Sequence, residues 1–453
     1  MSTTKDIRSG GDSEICLPRF GLLEWVQLNR RSRGPTDMST RDRGGLPEMT
    51  DRCVLPQSHT DQPARLGRNS RRESLLMTRH ALTTIQDCED FVSGCLFMGT
   101  GGGGGVDWGL GMLRAALQDG LPLEWTDLAD IPDDAWTCTA FGMGSIAPQD
   151  DSTARAIEAL GLVDRFGFNA MAQAVRELAA HTGKPISVIV PSELGAGNTP
   201  APLVSAAQLG IRCVDGDYAG RAIPDEMQGT PYLYGKTSHP LASVDHWGDV
   251  VILKEAANPF MLERIGKLLS VAAYGSTYQA ATLLPATEMK AIVVPGTLTR
   301  SLELGRAMRQ AREAGADPIS AAMKQTGGYL LFEGRVTGKD WEDRDGYMFG
   351  TTTIEGSGRF AGHTLAVWFK NENHVSWLDG SPWVCSPDLV VVADRMTGAG
   401  FTNTLVDAGD EVAVVGIRGL EGFRSERGLG CAGPRYFGFD LDYRPIEQLV
   451  ERS

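Results

Sequence analysis

From Thr83 to His246 the apolar positions follow two periods in turn, and the elements they predict alternate between helix and strand. Met171, Val175 and Leu178 recur at i, i+4 and i+7, which predicts an amphipathic helix over residues 169–181. Gly183 and Pro185 stop it. The run Ile186-Ser187-Val188-Ile189-Val190 then reads as a buried strand. Residues 202–209 read as a short helix and Ile211-Arg212-Cys213-Val214 as the next strand. Strand, crossover helix and strand make a βαβ unit, which requires a parallel or mixed sheet.

Residues 250–253 open a second region. Asn258-Pro259 has the form of a helix start, a cap followed by Pro in the first turn. Leu262, Ile265 and Leu269 carry that helix onward, and residues 297–314 predict another. Beyond Tyr329 the period changes to two: Leu365, Val367 and Phe369 alternate with Ala366, Trp368 and Lys370. Residues 389–392 and 412–415 are continuous apolar strands. The expected fold class is α/β in two domains. An N-terminal α/β domain with a parallel or mixed sheet takes residues 77–247, and a β-rich C-terminal domain takes 248–453.

Residues 1–76 break this patterning. They hold 13 Lys+Arg against 10 Asp+Glu, a net of +3, while the other residues hold 30 against 47, a net of −17. Apart from Leu22-Leu23-Glu24-Trp25-Val26 they show no sustained apolar periodicity. Such a segment buries too little surface to offset its ordering entropy. It is expected to be a disordered extension, or a stretch upstream of a true start at Met77. The overall charge of −14 argues against nucleic-acid binding. No run approaches the roughly 18 apolar residues of a membrane span, and a cytoplasmic protein without a membrane partner is expected. The eight Cys include no C-x-x-C pair and the seven His no H-x-x-x-H spacing, which fits a reducing compartment and gives no metal signature.

Four segments carry candidate chemistry. The first is Gly99-Thr100-Gly101-Gly102-Gly103-Gly104-Gly105, ahead of an expected helix over 106–117. It contains G-x-G-x-x-G, but a helical pattern over 85–98 precedes it, not the strand that dinucleotide binding needs. No nucleotide cofactor is therefore expected. A glycine loop at a helix start can still present N–H groups to an anion or carbonyl oxygen, or serve as a tight helix–helix turn. The second is Pro191-Ser192-Glu193-Leu194-Gly195-Ala196-Gly197-Asn198, at a strand's carboxyl end, where open α/β sheets place ligands. Glu193 and Asn198 could line a pocket there, or Asn198 could cap a turn.

The third segment starts with Asp215-Gly216-Asp217 and continues through Arg221 to Glu226. Two carboxylates two residues apart can ligate a divalent ion or share a proton, and Arg221 can clamp an anionic substrate. A charged loop held by capping and ion pairs is the alternative. The fourth is Asn371-Glu372-Asn373-His374, which ends an apolar strand. Asn amides match a cyclic amide edge, being donor and acceptor together, and equally suit a hairpin turn. His363 and His374 are read as structural or exposed imidazoles.

In order along the chain these segments resemble the S-methyl-thiohydantoin desulfurase family. The resemblance rests on F-M-G-T-G-G-G-G at 97–104, F-G-M-G at 141–144, P-S-E-L-G-A-G-N at 191–198 and V-D-G-D-Y-A-G-R-A-I-P-D-E at 214–226. It continues through P-G-T-L-T-R-S-L-E-L-G-R-A at 295–307, F-K-N-E-N at 369–373, P-D-L-V at 387–390 and G-P-R-Y-F-G-F-D at 433–440. Asp225, Ala196 and His374 depart from the family pattern.

The resemblance implies hydrolytic removal of sulfur from an S-methyl thiohydantoin-like ring, giving a thiol and a hydantoin. Glu193, Asp215 and Asp217 are then expected to activate water or ligate a metal. Thr100, Gly101, Gly102, Gly103, Gly104, Asn198, Arg221, Glu226, Asn371, Glu372 and Asn373 are expected to bind substrate. One divalent metal ion is a candidate cofactor. The expected partners are a hydantoin-like small molecule, a hydantoinase/oxoprolinase-type protein and further copies of the chain. An accessory subunit of such a ring hydrolase, or a non-catalytic binder of hydantoin-like ligands, is the alternative function.

Overall fold

The computed structural model describes residues 79–450; the expected leader lies outside them. Six strands form a mixed sheet: β1 (Trp136–Gly144), β2 (Ile186–Pro191), β3 (Arg212–Cys213), β4 (Leu241–Val244), β5 (Val250–Leu253) and β6 (Ser276–Pro285). Their order is β3-β2-β1-β6-β4-β5. β1, β2 and β3 are parallel, and β6, β4 and β5 pair antiparallel. The predicted crossover is present: the helix Pro200–Leu209 joins β2 to β3. Met171, Val175 and Leu178 are buried on the helix Ala170–Thr182, as their spacing implied.

The sheet runs past residue 247. Both β5 and β6 come from beyond that position, and β6 pairs with β1 along nearly its whole length. Residues 250–253, which opened a second region in the sequence, are an edge strand of the first sheet. Periodicity reports a strand but not its partner, so a strand that returns after a long helix is invisible to it.

The second sheet is antiparallel throughout and has seven strands: β7 (Tyr329–Arg344), β8 (Tyr347–Gly356), β9 (Thr364–Lys370), β10 (Glu372–Leu378), β11 (Ser381–Cys385), β12 (Leu389–Asp394) and β13 (Glu411–Ile417). The order is β11-β10-β9-β8-β7-β13-β12. Its two apolar runs are explained by burial on both faces. Val390, Val392, Val412 and Val414 enter one core, while Val391, Ala393, Ala413 and Val415 enter another.

The helix Ile85–Met98 ties the sheets together. Phe91 and Cys95 pack in the core of the first sheet, and Phe97 packs against the second. It crosses the helix Thr297–Glu313 at contact distance, where a Cβ on Gly305 would fall 1.7 Å from the Asp90 carbonyl oxygen. Arg309 holds the buried Asp90 carboxylate through two bonds of 2.8 and 2.9 Å. Cys88, Cys95, Cys138, Cys213, Cys385 and Cys431 are all buried and unpaired. Among the described residues no helix is long and apolar enough to cross a membrane.

Candidate active site

A cleft of about 550 Å³ opens where the glycine run, the loop after β2 and the turn between β9 and β10 meet. Its wall includes Gly102, Gly103, Gly104, Glu193, Asn198, Glu226, Asn371 and Glu372. Eight of the residues singled out in the sequence thus share one cavity. Trp108, Phe168, Tyr278 and His246 also line it.

The glycines earn their place by close approach. The loop turns back with Thr100, Gly101, Gly103 and Gly104 at positive φ. A Cβ on Gly103 would stand 2.5 Å from the Gly195 Cα, so the two loops touch backbone to backbone. The Gly103 carbonyl accepts from the Gly197 and Asn198 amides, both at 3.0 Å. The Gly103 N–H donates to Glu372 Oε1 at 3.2 Å. The following amides of Gly104 and Gly105 have no acceptor among the described residues, and both glycines line the cleft ahead of the helix Val106–Gln118. They are donors available to negative charge.

Glu193 is 4 % exposed. Its carboxylate accepts from Asn198 Nδ2 at 2.7 Å and from the Ile223 amide at 2.6 Å. Asn198 is itself clamped to β1, accepting from the Gly142 amide and donating to the Gly142 carbonyl. Burial pushes the Glu193 carboxyl up to about 7, against those two hydrogen bonds. Glu372 is 2 % exposed and its Oε2 has no partner. Burial raises its carboxyl well above the usual range, and the charge of Glu193 adds to the effect. Two buried acids facing the same cleft each favour the protonated form of the other.

Asn371 makes the turn that aims Glu372. It sits at φ +57°, a conformation Asn tolerates, and exchanges two bonds with the Met348 backbone. The hairpin turn and the site wall are therefore the same segment. Asn373 lies behind the wall, with Nδ2 on the Val390 carbonyl and its amide on the Thr100 carbonyl.

Arg221 does not reach the cleft. Its guanidinium is buried among the Ala222 carbonyl, Ser386 Oγ, Thr100 Oγ1 and the Asn373 carbonyl. Burial lowers it to about 10, opposed by the charges of Glu372, Glu193 and Asp388. It balances the acidic pair from behind and is not placed to clamp a substrate carboxylate. Thr100 and Gly101 likewise brace the loop from behind, through Arg221 and Asn403.

Asp215 and Asp217 do not line the cleft either. Asp215 caps the helix Thr297–Glu313: it accepts from the Leu298 and Thr299 amides and from the Thr299 hydroxyl. Asp217 closes its own turn by accepting from the Ala219 and Gly220 amides at 2.6 Å. The charged-loop alternative holds for both, because helix ends and tight turns leave N–H groups that a nearby carboxylate satisfies. Asp215 does join His80 and Asp127, with one ligand atom from each lying within 4.8 Å of the others. That trio could hold a cation, but none of its members lines the cleft.

Several cleft groups gave no signal in the sequence. On the helix Pro259–Ala272, Glu263 and Lys267 are buried four residues apart, while Leu268 and Val271 are each 51 % exposed. The buried face of this helix carries these two charges together with Leu262, Gly266 and Ser270. Lys267 donates to the Gly144 carbonyl at 3.2 Å and lies over the Tyr347 ring. Glu263 accepts from the Glu226 amide and contacts the Tyr347 hydroxyl at 2.9 Å. Burial and Glu263 push Glu226 up to about 8. Asp225 binds the hydroxyls of Tyr347 and Tyr436 and the Lys370 ammonium, at 2.7, 3.0 and 2.6 Å. A signal existed only in retrospect: two charged residues at i, i+4 inside a helix otherwise rich in apolar side chains.

The two imidazoles singled out in the sequence, His374 and His363, do not line the cleft. His374 stacks on Phe437 and bonds Ser386, and burial holds its basicity well below normal. His363 pairs with Asp379 on the surface. Cys138 and Cys213 do not line the cleft, and burial pushes the Cys138 thiol up to about 12, away from nucleophilic use.

Residues 86–255 match the family described as S-Me-THD-like, N-terminal domain, and residues 257–446 match S-Me-THD-like, C-terminal domain. A crystal structure of a protein from Chromobacterium violaceum has the same fold, with a TM-score of 0.65 and 20 % sequence identity. The match covers 82 % of this chain and 100 % of that one. No curated protein matches.

Proposed function

Since the chain belongs to the S-Me-THD-like family, we propose that it is a hydrolase that removes the methylthio group from an S-methyl thiohydantoin-like ring. The observation that carries this reading is the pair Glu193 and Glu372. One carboxyl is poised near 7, and the other is buried with a bare oxygen on the same cleft.

The ring carbon that bears sulfur lies between two nitrogens and is electrophilic. A water oxygen bonds to it while the C=N electron pair moves onto nitrogen. Glu193, as carboxylate, takes a proton from that water. Glu372, as acid, gives its proton to the ring nitrogen. The C–S bond then breaks with its electrons on sulfur, the carbonyl forms, and the proton held by Glu193 leaves with methanethiol. The hydroxyl proton of the intermediate returns to Glu372. One water is consumed, and its two hydrogens end on ring nitrogen and on sulfur. The Gly104 and Gly105 amides and the Lys267 ammonium are the donors available for negative charge that develops on the way. Asn371 offers an amide to the ring edge.

The test is methanethiol release from an S-methyl thiohydantoin by the full chain, with elemental analysis of the same sample. Glu372→Gln is expected to lower kcat by about 10²–10⁴, the usual worth of a general acid, with KM little changed. No thiol from folded wild-type protein, or full activity in Glu372→Gln, refutes the reading.

A further inference from the structure

A second cavity, of about 190 Å³, has Ile223 in common with the cleft and its other lining residues distinct from it. Its body is apolar, with Met98, Leu304, Leu389, Ile417 and Phe423 lining it. Apolar cavities of about 150 Å³ accept a benzene-sized molecule, so the space suits a short hydrocarbon tail.

Two donors on its wall are left without an acceptor. Gln228 is 3 % exposed, lines the cavity, and its Nε2 has no partner. A buried amide donor without an acceptor is costly, and this one is left for whatever fills the space. Arg300 lines the same cavity from an exposed position on the helix Thr297–Glu313. It makes no ion pair among the described residues; Asp217 feels its charge without bonding to it. Arg221 and Ser386 also line it and are already engaged with each other, as Arg418 is with Glu421 and Glu447; Thr297, Ser301, Gln325 and Thr326 make up the rest of the polar wall. An unpaired guanidinium and an unpaired amide NH2 beside an apolar chamber select an acceptor head on an apolar tail.

We propose that this cavity is a binding site for a small straight-chain monocarboxylate, its carboxylate on Arg300 and Gln228 and its tail among Met98, Leu304 and Phe423. The site is independent of the hydrolytic reading of the cleft, and testing it needs no turnover.

The probe is hexanoate, titrated calorimetrically into the full chain, with 1-hexanol as the neutral comparison. One molecule per chain with a Kd on the order of 1 mM or tighter is expected, given the few atoms that bind. Hexanol is expected to bind at least about ten-fold more weakly, since it lacks the charge. Arg300→Gln and Gln228→Leu are each expected to weaken hexanoate about ten-fold. Arg300 is exposed, so its variant carries the test if Gln228→Leu does not fold. Absence of hexanoate binding, equal binding of hexanol, or unchanged affinity in Arg300→Gln overturns the proposal.

Discussion

Adding one methyl group at Gly102 tests how the acidic pair is held without removing either acid. A Cβ at this position would lie 1.8 Å from Glu372 Oε1 and 2.5 Å from its Cδ. Real Cβ atoms do not come closer than 3.0 Å, so the carboxyl must retreat by about 1.2 Å. That retreat breaks the bond from the Gly103 amide to Oε1. A hydrogen bond to a neutral carboxyl contributes roughly 0.5–1.5 kcal/mol, and overpacking a tight site costs about 1–3 kcal/mol. Gly102→Ala is therefore expected to lower stability by about 2–4 kcal/mol in denaturant unfolding. Misplacing a reacting group by about 1 Å costs on the order of 10² in rate, and kcat for thiol release should fall by that much. Gly105→Ala is the control. It lies on the same cleft, but a Cβ there meets nothing within 4 Å and its φ is −78°. It is expected to stay within about 1 kcal/mol and a few-fold of wild type. Combining Gly102→Ala with the shorter Glu372→Asp should recover stability, because the clash is with the end of the longer side chain. A Gly102→Ala protein as stable and as active as wild type would refute the claim that this loop positions Glu372.

Other outcomes follow from the same geometry. Asp215→Ala removes a cap and three hydrogen bonds from the helix Thr297–Glu313; it should cost about 1–2 kcal/mol and leave kcat within a factor of about two. A large loss of kcat at full stability would return Asp215 to the mechanism. Glu226 is pushed up from 4.5 to about 8, so the native state holds its proton while the unfolded state has lost it. Stability is then greatest below pH 4.5 and falls as pH rises to about 8. Glu226→Gln should flatten that decline by a few kcal/mol between pH 5 and 8, read from urea midpoints; an unchanged slope would place the proton elsewhere. With Glu193 near 7, kcat/KM should rise through about pH 7.

The segments that carry the site were legible where chemistry is local. The glycine run, the loop holding Glu193 and Asn198, and the turn holding Asn371 and Glu372 each announce a change of backbone direction beside polar groups. Each of them reaches the cleft. Asp215 and Asp217 announce the same thing and do not reach it, because a carboxylate at a turn serves equally to cap nearby amides. Arg221 was read as a clamp on the substrate. Its partners Thr100, Asn373 and Ser386 lie at least 121 residues away in the chain, and no spacing rule connects them.

By itself the sequence determined the α/β class in two domains, the crossover in the first sheet, the β-rich character of the second and three loops that the structure brings to one cleft. These are set by period, by turn residues and by strand ends, all of which act over a few positions. Tertiary structure alone decided that residues 250–253 and β6 close the first sheet, that Glu263 and Lys267 turn inward on a helix with exposed Leu268 and Val271, and that two glutamates 179 residues apart share a cleft. The reason is physical. Burial and the company of other charges shift a carboxyl's affinity for its proton, and both depend on neighbours that only folding brings together.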